Sequence, residues 1–163
     1  MKKTSLILVL LFSSLLFVTS CSKDESTKVE VYTEYLTVEL NLVDEMSLEP
    51  IYTLEIRNSS TNIFEQQCTL IYRIKDQQSK ETLTKSRQVV VNKRIPSNTL
   101  QGYLNIQSGG NYMEVVNLSD LHWIGEDFNA LKMGEYTLVV TLFIDDPASP
   151  FNSIESNELI YIK

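Results

Sequence analysis

Four stretches of this chain place apolar residues at every second position, and that period admits few folds. Leu36, Val38, Leu40 and Leu42 alternate with Thr37, Glu39 and Asn41. After a turn near Glu49-Pro50 the pattern resumes, with Tyr52, Leu54 and Ile56 opposed to Thr53, Glu55 and Arg57. Cys68, Leu70, Tyr72 and Ile74 make a third run, and Tyr136, Leu138, Val140, Leu142 and Ile144 a fourth. Side chains of an extended strand point to alternate faces, so such runs predict strands with a dry face and a wet face. Shorter strands are expected at 88–91, 100–106, 112–116 and 159–162. Turn-forming clusters such as Asn58–Asn62, Pro96-Ser97-Asn98 and Ser108-Gly109-Gly110-Asn111 separate them.

Seven or eight strands at roughly ten-residue spacing predict an all-β sandwich over residues 36–163, with a β-barrel as the alternative. The expected core is Val38, Leu40, Leu54, Ile56, Leu70, Tyr72, Tyr136, Leu138, Val140 and Leu142. One short helix is expected near 119–131. There Leu121, Ile124, Phe128 and Leu131 stand three or four apart behind a possible cap at Ser119 or Asp120. Cys68 continues an apolar alternation and reads as a small buried hydrophobe.

Leu131-Lys132-Met133-Gly134-Glu135-Tyr136 introduces the penultimate long strand with an L-x-x-G-x-Y pattern. The chain here resembles the immunoglobulin-like adhesion and accessory domains of bacterial surface proteins. It is also similar to CARDB-type domains through Ile56-Arg57-Asn58 and Ile154-Glu155-Ser156-Asn157-Glu158. The resemblance implies an immunoglobulin-like sandwich in which the Tyr136 hydroxyl bonds upstream backbone and Gly134 supplies an unusual corner angle. It implies architecture and no single activity, because the core tryptophan and paired cysteines of antibody domains are missing.

The N-terminus gives an address. Lys2 and Lys3 precede an apolar run from Leu6 to Val18 and then Val18-Thr19-Ser20-Cys21. A basic start, a short apolar region and small residues at the cut describe a secretory signal peptide. The last four residues resemble a bacterial lipobox, which implies removal of residues 1–20 and lipidation of Cys21. Ser22-Lys23-Asp24-Glu25 resembles the export signal of Bacteroidetes-type lipoproteins, implying the outer face of the outer membrane. Residues 21–35 then serve as a polar tether and lead-in.

The formal net charge is −7, and loss of Lys2 and Lys3 with the signal would make it more negative. With no basic cluster, nucleic acid is not an expected partner. Catalysis is not expected either. His122 is the only histidine, and Ser119, Asp120 and His122 are too close in sequence to converge as a triad. Asp145, Asp146, Asn152, Ser153 and Glu155 gather oxygen ligands of the kind calcium takes. They lack the spacing of a calcium loop, so no metal or other cofactor is expected. Trp123 and Phe128 suit either the apolar side of the short helix or a stacking surface, and Tyr103 and Tyr112 flank the Gly-rich turn. These four are the candidate binding residues, Trp123 foremost, and the loops around 108–112, 118–128 and 145–157 are the candidate binding loops. The expected function is a surface-anchored, non-enzymatic binding or accessory lipoprotein holding a protein partner or a glycan. The alternative is a structural lipoprotein subunit of a cell-envelope assembly.

Overall fold

The alternating runs become the strands of two antiparallel sheets that share one apolar interior. The computed structural model describes residues 31–43, 51–94, 102–125, 128–149 and 152–163. Cys21, the signal segment and the tether lie outside the described residues.

The chain forms β1 (Leu36–Leu42), β2 (Ile51–Asn58), β3 (Phe64–Gln66), β4 (Cys68–Asp76), β5 (Thr82–Val90) and β6 (Lys93–Arg94). It continues through β7 (Gly102–Ile106), β8 (Asn111–Asn117), β9 (Trp123–Gly125), β10 (Glu135–Ile144), β11 (Ser153–Glu155) and β12 (Leu159–Ile162). One sheet runs β1-β2-β8. The other runs β11-β10-β4-β5-β9, with β12 also on β10, and a small β3-β7-β6 sheet lies beside them. With β1-β2-β8 facing β11-β10-β4-β5, the described strands form an all-β sandwich.

The last strand is one strand broken by a bulge. Glu155 stands opposite Thr141 and Leu159 opposite Leu138, so residues 156–158 face only 139 and 140. Ser156 fills the gap, donating its N–H to the Val140 carbonyl at 2.8 Å and accepting the Val140 N–H on Oγ at 3.0 Å. The bulge turns Asn157 toward the edge of the opposite sheet. There its Oδ1 accepts the Leu40 N–H at 2.7 Å and its Nδ2 donates to the Leu40 carbonyl at 3.0 Å. A side-chain amide thus takes the place of a strand partner, joins the two sheets and covers part of the free edge of β1.

Every expected core residue is buried, and Tyr136 is the most exposed of them at 8%. Cys68 is also fully buried, and burial raises its thiol pKa to about 12, with the nearby Asp145 charge adding to the shift. The tyrosine corner is present, since Tyr136 Oη donates to the Lys132 carbonyl at 2.8 Å.

Four expectations need correction. Among the described residues of 119–131 there is no α-helix. Leu118–Asp120 and Phe128–Ala130 are single 3₁₀ turns with β9 between them. Gly125 has φ +117°, which no helix accommodates, and Asn117 caps the first turn by accepting the Ser119 N–H at 2.9 Å. Gly134 is not in the left-handed region. It sits in a ladder pair with Lys163, donating and accepting one backbone bond each way. Leu42 is exposed because the inward row of β1 runs past the end of the interior. Glu55, expected outward and wet, is buried.

Truncating Leu138 to alanine should cost about 2–5 kcal/mol in chemical denaturation, as for a fully buried leucine. Tyr136→Phe should cost about 1 kcal/mol, one hydrogen bond's worth. Gly134→Ala should be near neutral, because a Cβ there meets nothing closer than Tyr136 Oη at 4.0 Å.

Candidate binding surface

Two of the four candidate aromatics meet at one end of the sandwich. The Trp123 and Phe128 rings stack at 4.9 Å between centroids, 10° from parallel. Phe128 stacks in turn on Tyr161 at 5.6 Å, and Tyr161 lies against Tyr136 at 6.2 Å. The indole N–H of Trp123 donates to the Leu118 carbonyl at 2.8 Å. Phe128 is buried and Trp123 half-buried. The geometry is that of a lid closing the interior, with the indole edge the part left to solvent.

Tyr103 and Tyr112 are placed in different sheets. Tyr103, on β7, stands opposite Lys93 of β6. Tyr112 points inward from β8, where its hydroxyl donates to Glu114 at 2.9 Å. Glu114 also accepts the Gln88 side-chain N–H at 3.2 Å. Burial first, then the Glu114 carboxylate, raises the Tyr112 hydroxyl above its ordinary value. Tyr112 therefore lines a polar seam between β5 and β8.

The Gly-rich turn beside Tyr112 borders a groove of about 560 Å³, walled by Glu55, Arg57, Asn58 and Ser59 on one side and Gly109–Asn111 on the other. That volume falls in the usual range for ligand clefts. Glu and Arg two apart on a strand share a face, and here they clasp. Arg57 Nε donates to Glu55 Oε1 at 2.9 Å and Nη2 to Oε2 at 3.0 Å, while Asn111 Nδ2 donates to Oε1 at 2.6 Å. Arg57 foremost, then Asn111, holds the Glu55 carboxyl below its ordinary pKa of 4.5. The Arg57 side chain remains 59% exposed. The clasp uses its Nε/Nη2 edge, and Nη1 makes no hydrogen bond among the described residues.

The turn itself is fixed by the buried Asn58. Its N–H donates to the Gly110 carbonyl at 2.9 Å, and its Nδ2 donates to the carbonyls of Asn62, Ile106 and Gln107. Gly109, at φ +66°, supplies the left-handed residue the turn needs. Sequence reading marked the 108–112 loop but missed Glu55 and Arg57. Their Glu-x-Arg spacing was the available signal.

Two carboxylates of the 145–155 loop make protein contacts. Asp146 accepts the Tyr32 hydroxyl at 2.7 Å, and Glu155 pairs with Arg73. Among the described residues no three His, Cys, Asp or Glu side chains are placed to hold a metal ion. His122 is exposed at the strand-like segment before β9. No known family model matches this chain, and no curated protein matches it.

Because the Glu55 pKa is lowered by folding, its contribution to stability is present above the ordinary carboxylate range and is lost as pH falls through the lowered value. In Glu55→Gln that loss should be missing. The stability gap between wild type and variant should therefore be widest near neutral pH and close below about pH 4. Urea titrations across pH would check it, and a gap independent of pH would overturn the assignment.

The aromatic lid and the groove should respond unequally to truncation. Phe128→Ala should lower stability by about 3–5 kcal/mol, whereas Arg57→Ala, which takes the charge partner from the buried Glu55 but leaves it bonded to Asn111, should lower the melting temperature by a smaller amount. Thermal unfolding of the two variants side by side gives the comparison.

Proposed function

We propose that this chain is a surface-anchored, non-enzymatic binding or accessory lipoprotein, tethered through a lipidated Cys21 and capturing its partner in the groove beside Arg57. The observation that carries this reading is the buried Glu55 on an otherwise wet face. Burying a carboxylate is costly unless it is paired, and here the pairing fixes one edge of a guanidinium while leaving the other open. An arginine held in place before its partner arrives loses less side-chain freedom on binding. Its free donors suit carbonyl, carboxylate or hydroxyl oxygens of a protein or glycan partner.

The way the chain enters the domain supports the tethered reading. Tyr32 is buried at the start, edge-on to Phe64 at 5.8 Å and bonded to Asp146. This fixes the lead-in at the end of the sandwich where the groove and the 145–149 loop lie. A lipid on Cys21 would hold that end toward the membrane, favouring a partner in or on the same membrane.

In-cell photo-crosslinking from Ser59, with mass spectrometry, tests both parts. A crosslinked envelope partner should be recovered and should be lost in Arg57→Ala; an undiminished crosslink in that variant removes the groove from the reading. The N-terminal peptide should carry acyl chains on Cys21, and an unmodified Cys21 in the soluble fraction would end the anchor claim. The alternative, a structural subunit, is favoured by Met133, Ile160 and Ile162, exposed by 84%, 50% and 71% on or near the edge strand β12. A stoichiometric partner lost in Ile160→Lys and kept in Arg57→Ala would select it.

A further inference from the structure

We propose that the outward face of β10, β4 and β5 carries a second site, a saccharide-binding groove centred on Phe143 and separate from the Arg57 groove. The other outward residues of β10 between its ends, Thr137, Val139 and Thr141, are buried under neighbouring side chains. Phe143 breaks that pattern with 37% of its surface exposed. Register sets it beside Thr69, and Thr69 beside Val89. The next row places Ile71 between Thr141 and Arg87. Phe143, Thr69, Ile71 and Arg87 border a groove of about 370 Å³ whose far end is closed by Gln67, Asp145 and Asn152.

The closing segments are fixed by backbone bonds. Ile144 N–H donates to the Asn152 carbonyl at 2.7 Å, and Asp145 N–H donates to the Gln67 carbonyl at 2.8 Å. Neither Arg87 nor Asp145 takes part in an ion pair among the described residues. One ring is thus left open between a free cation, a free carboxylate and two amides. Such a lining offers donors and acceptors in alternation around an apolar surface. A pyranose has the matching form, with a C–H face to lie on the ring and hydroxyls that both donate and accept at its rim.

Other ligand classes fit less well. β10 and β4 are interior strands, paired on both sides, so an extended peptide cannot add to them as a strand. A nucleic acid meets a chain of net charge −7.

The test is titration of the full chain, purified in detergent, with cellobiose, maltose and chitobiose, read by saturation-transfer NMR. At least one disaccharide should bind at millimolar concentration. Phe143→Ala should weaken it about tenfold or more, Arg87→Ala should weaken it measurably, and Arg57→Ala should leave it unchanged. Both Phe143 and Arg87 are exposed, so near-wild-type melting of the two variants is expected and would confirm that any loss is local. Failure of all three sugars to saturate, or wild-type binding by Phe143→Ala, overturns the site while leaving the Arg57 groove and its crosslinked partner standing. Equal loss in Arg57→Ala would instead place the sugar in the first groove and likewise overturn this assignment.

Discussion

Everything in this domain depends on the inward row of β10 remaining buried between its two neighbours and the facing sheet. Leu138, Val140, Leu142 and Ile144 are each no more than 2% exposed, and β10 pairs with β4 from Tyr136 to Ile144. The one cysteine in the described residues is a free thiol, so no covalent link shares the work. Cohesion comes from apolar burial, at roughly 25 cal/mol per Å² removed from water, and direction comes from a few amides. Asn157 grips Leu40 across the sheets, and Asn58 grips the 107–110 turn. Apolar contact sets how strongly the sheets adhere. These amides help set which residues meet.

That division explains how much could be read from the sequence. Alternation reports burial, and burial dominates wherever a strand lies between two layers, so β1, β2, β4 and β10 and all of the expected core were legible. It reports nothing about partners distant in sequence. Glu55 has the outward phase of β2, yet it is buried because Asn111, 56 positions later, closes over it. The residues at 119–131 have helical spacing, but Phe128 stacks on Tyr161 and Trp123 on Phe128, and β9 pairs with Thr84–Ser86 of β5. Tertiary contacts of this kind override local periodicity, and short segments with a left-handed glycine resist it least. The candidate aromatic rings suit either packing or stacking by sequence alone. Two of them form a lid because an open end of a sandwich needs a cover. Phe143 was hidden in plain alternation, as one more residue on the wet side of a strong strand.

The two grooves also show how a strongly acidic chain can present cationic sites. At physiological ionic strength charges are screened beyond about 8 Å, so the distributed carboxylates weigh little at any one side chain. What a ligand meets is local. At Arg57 it meets a guanidinium half neutralised by Glu55, which favours directional hydrogen bonds over attraction to any anion. At Arg87 it meets a cation with no ion-pair partner among the described residues, and at the far end of the same groove an Asp145 likewise without one. Neither arrangement rewards a polyanion, and both reward a ligand rich in oriented oxygens.

Geometry then limits where such ligands come from. Nine residues separate Cys21 from Val31, a reach of about 30 Å when fully extended. The ten-residue β10 spans about 33 Å. Under the proposed lipid anchor, a tether no longer than the domain itself, joined at the end fixed by Tyr32, would keep that end the nearer one to the membrane. The Arg57 groove and the Phe143 groove both lie toward this end, one on each sheet. The aromatic lid and the exposed Ile162 lie toward the other. A domain held in this way would present its flanks near the surface it stands on and leave its far end open to contact.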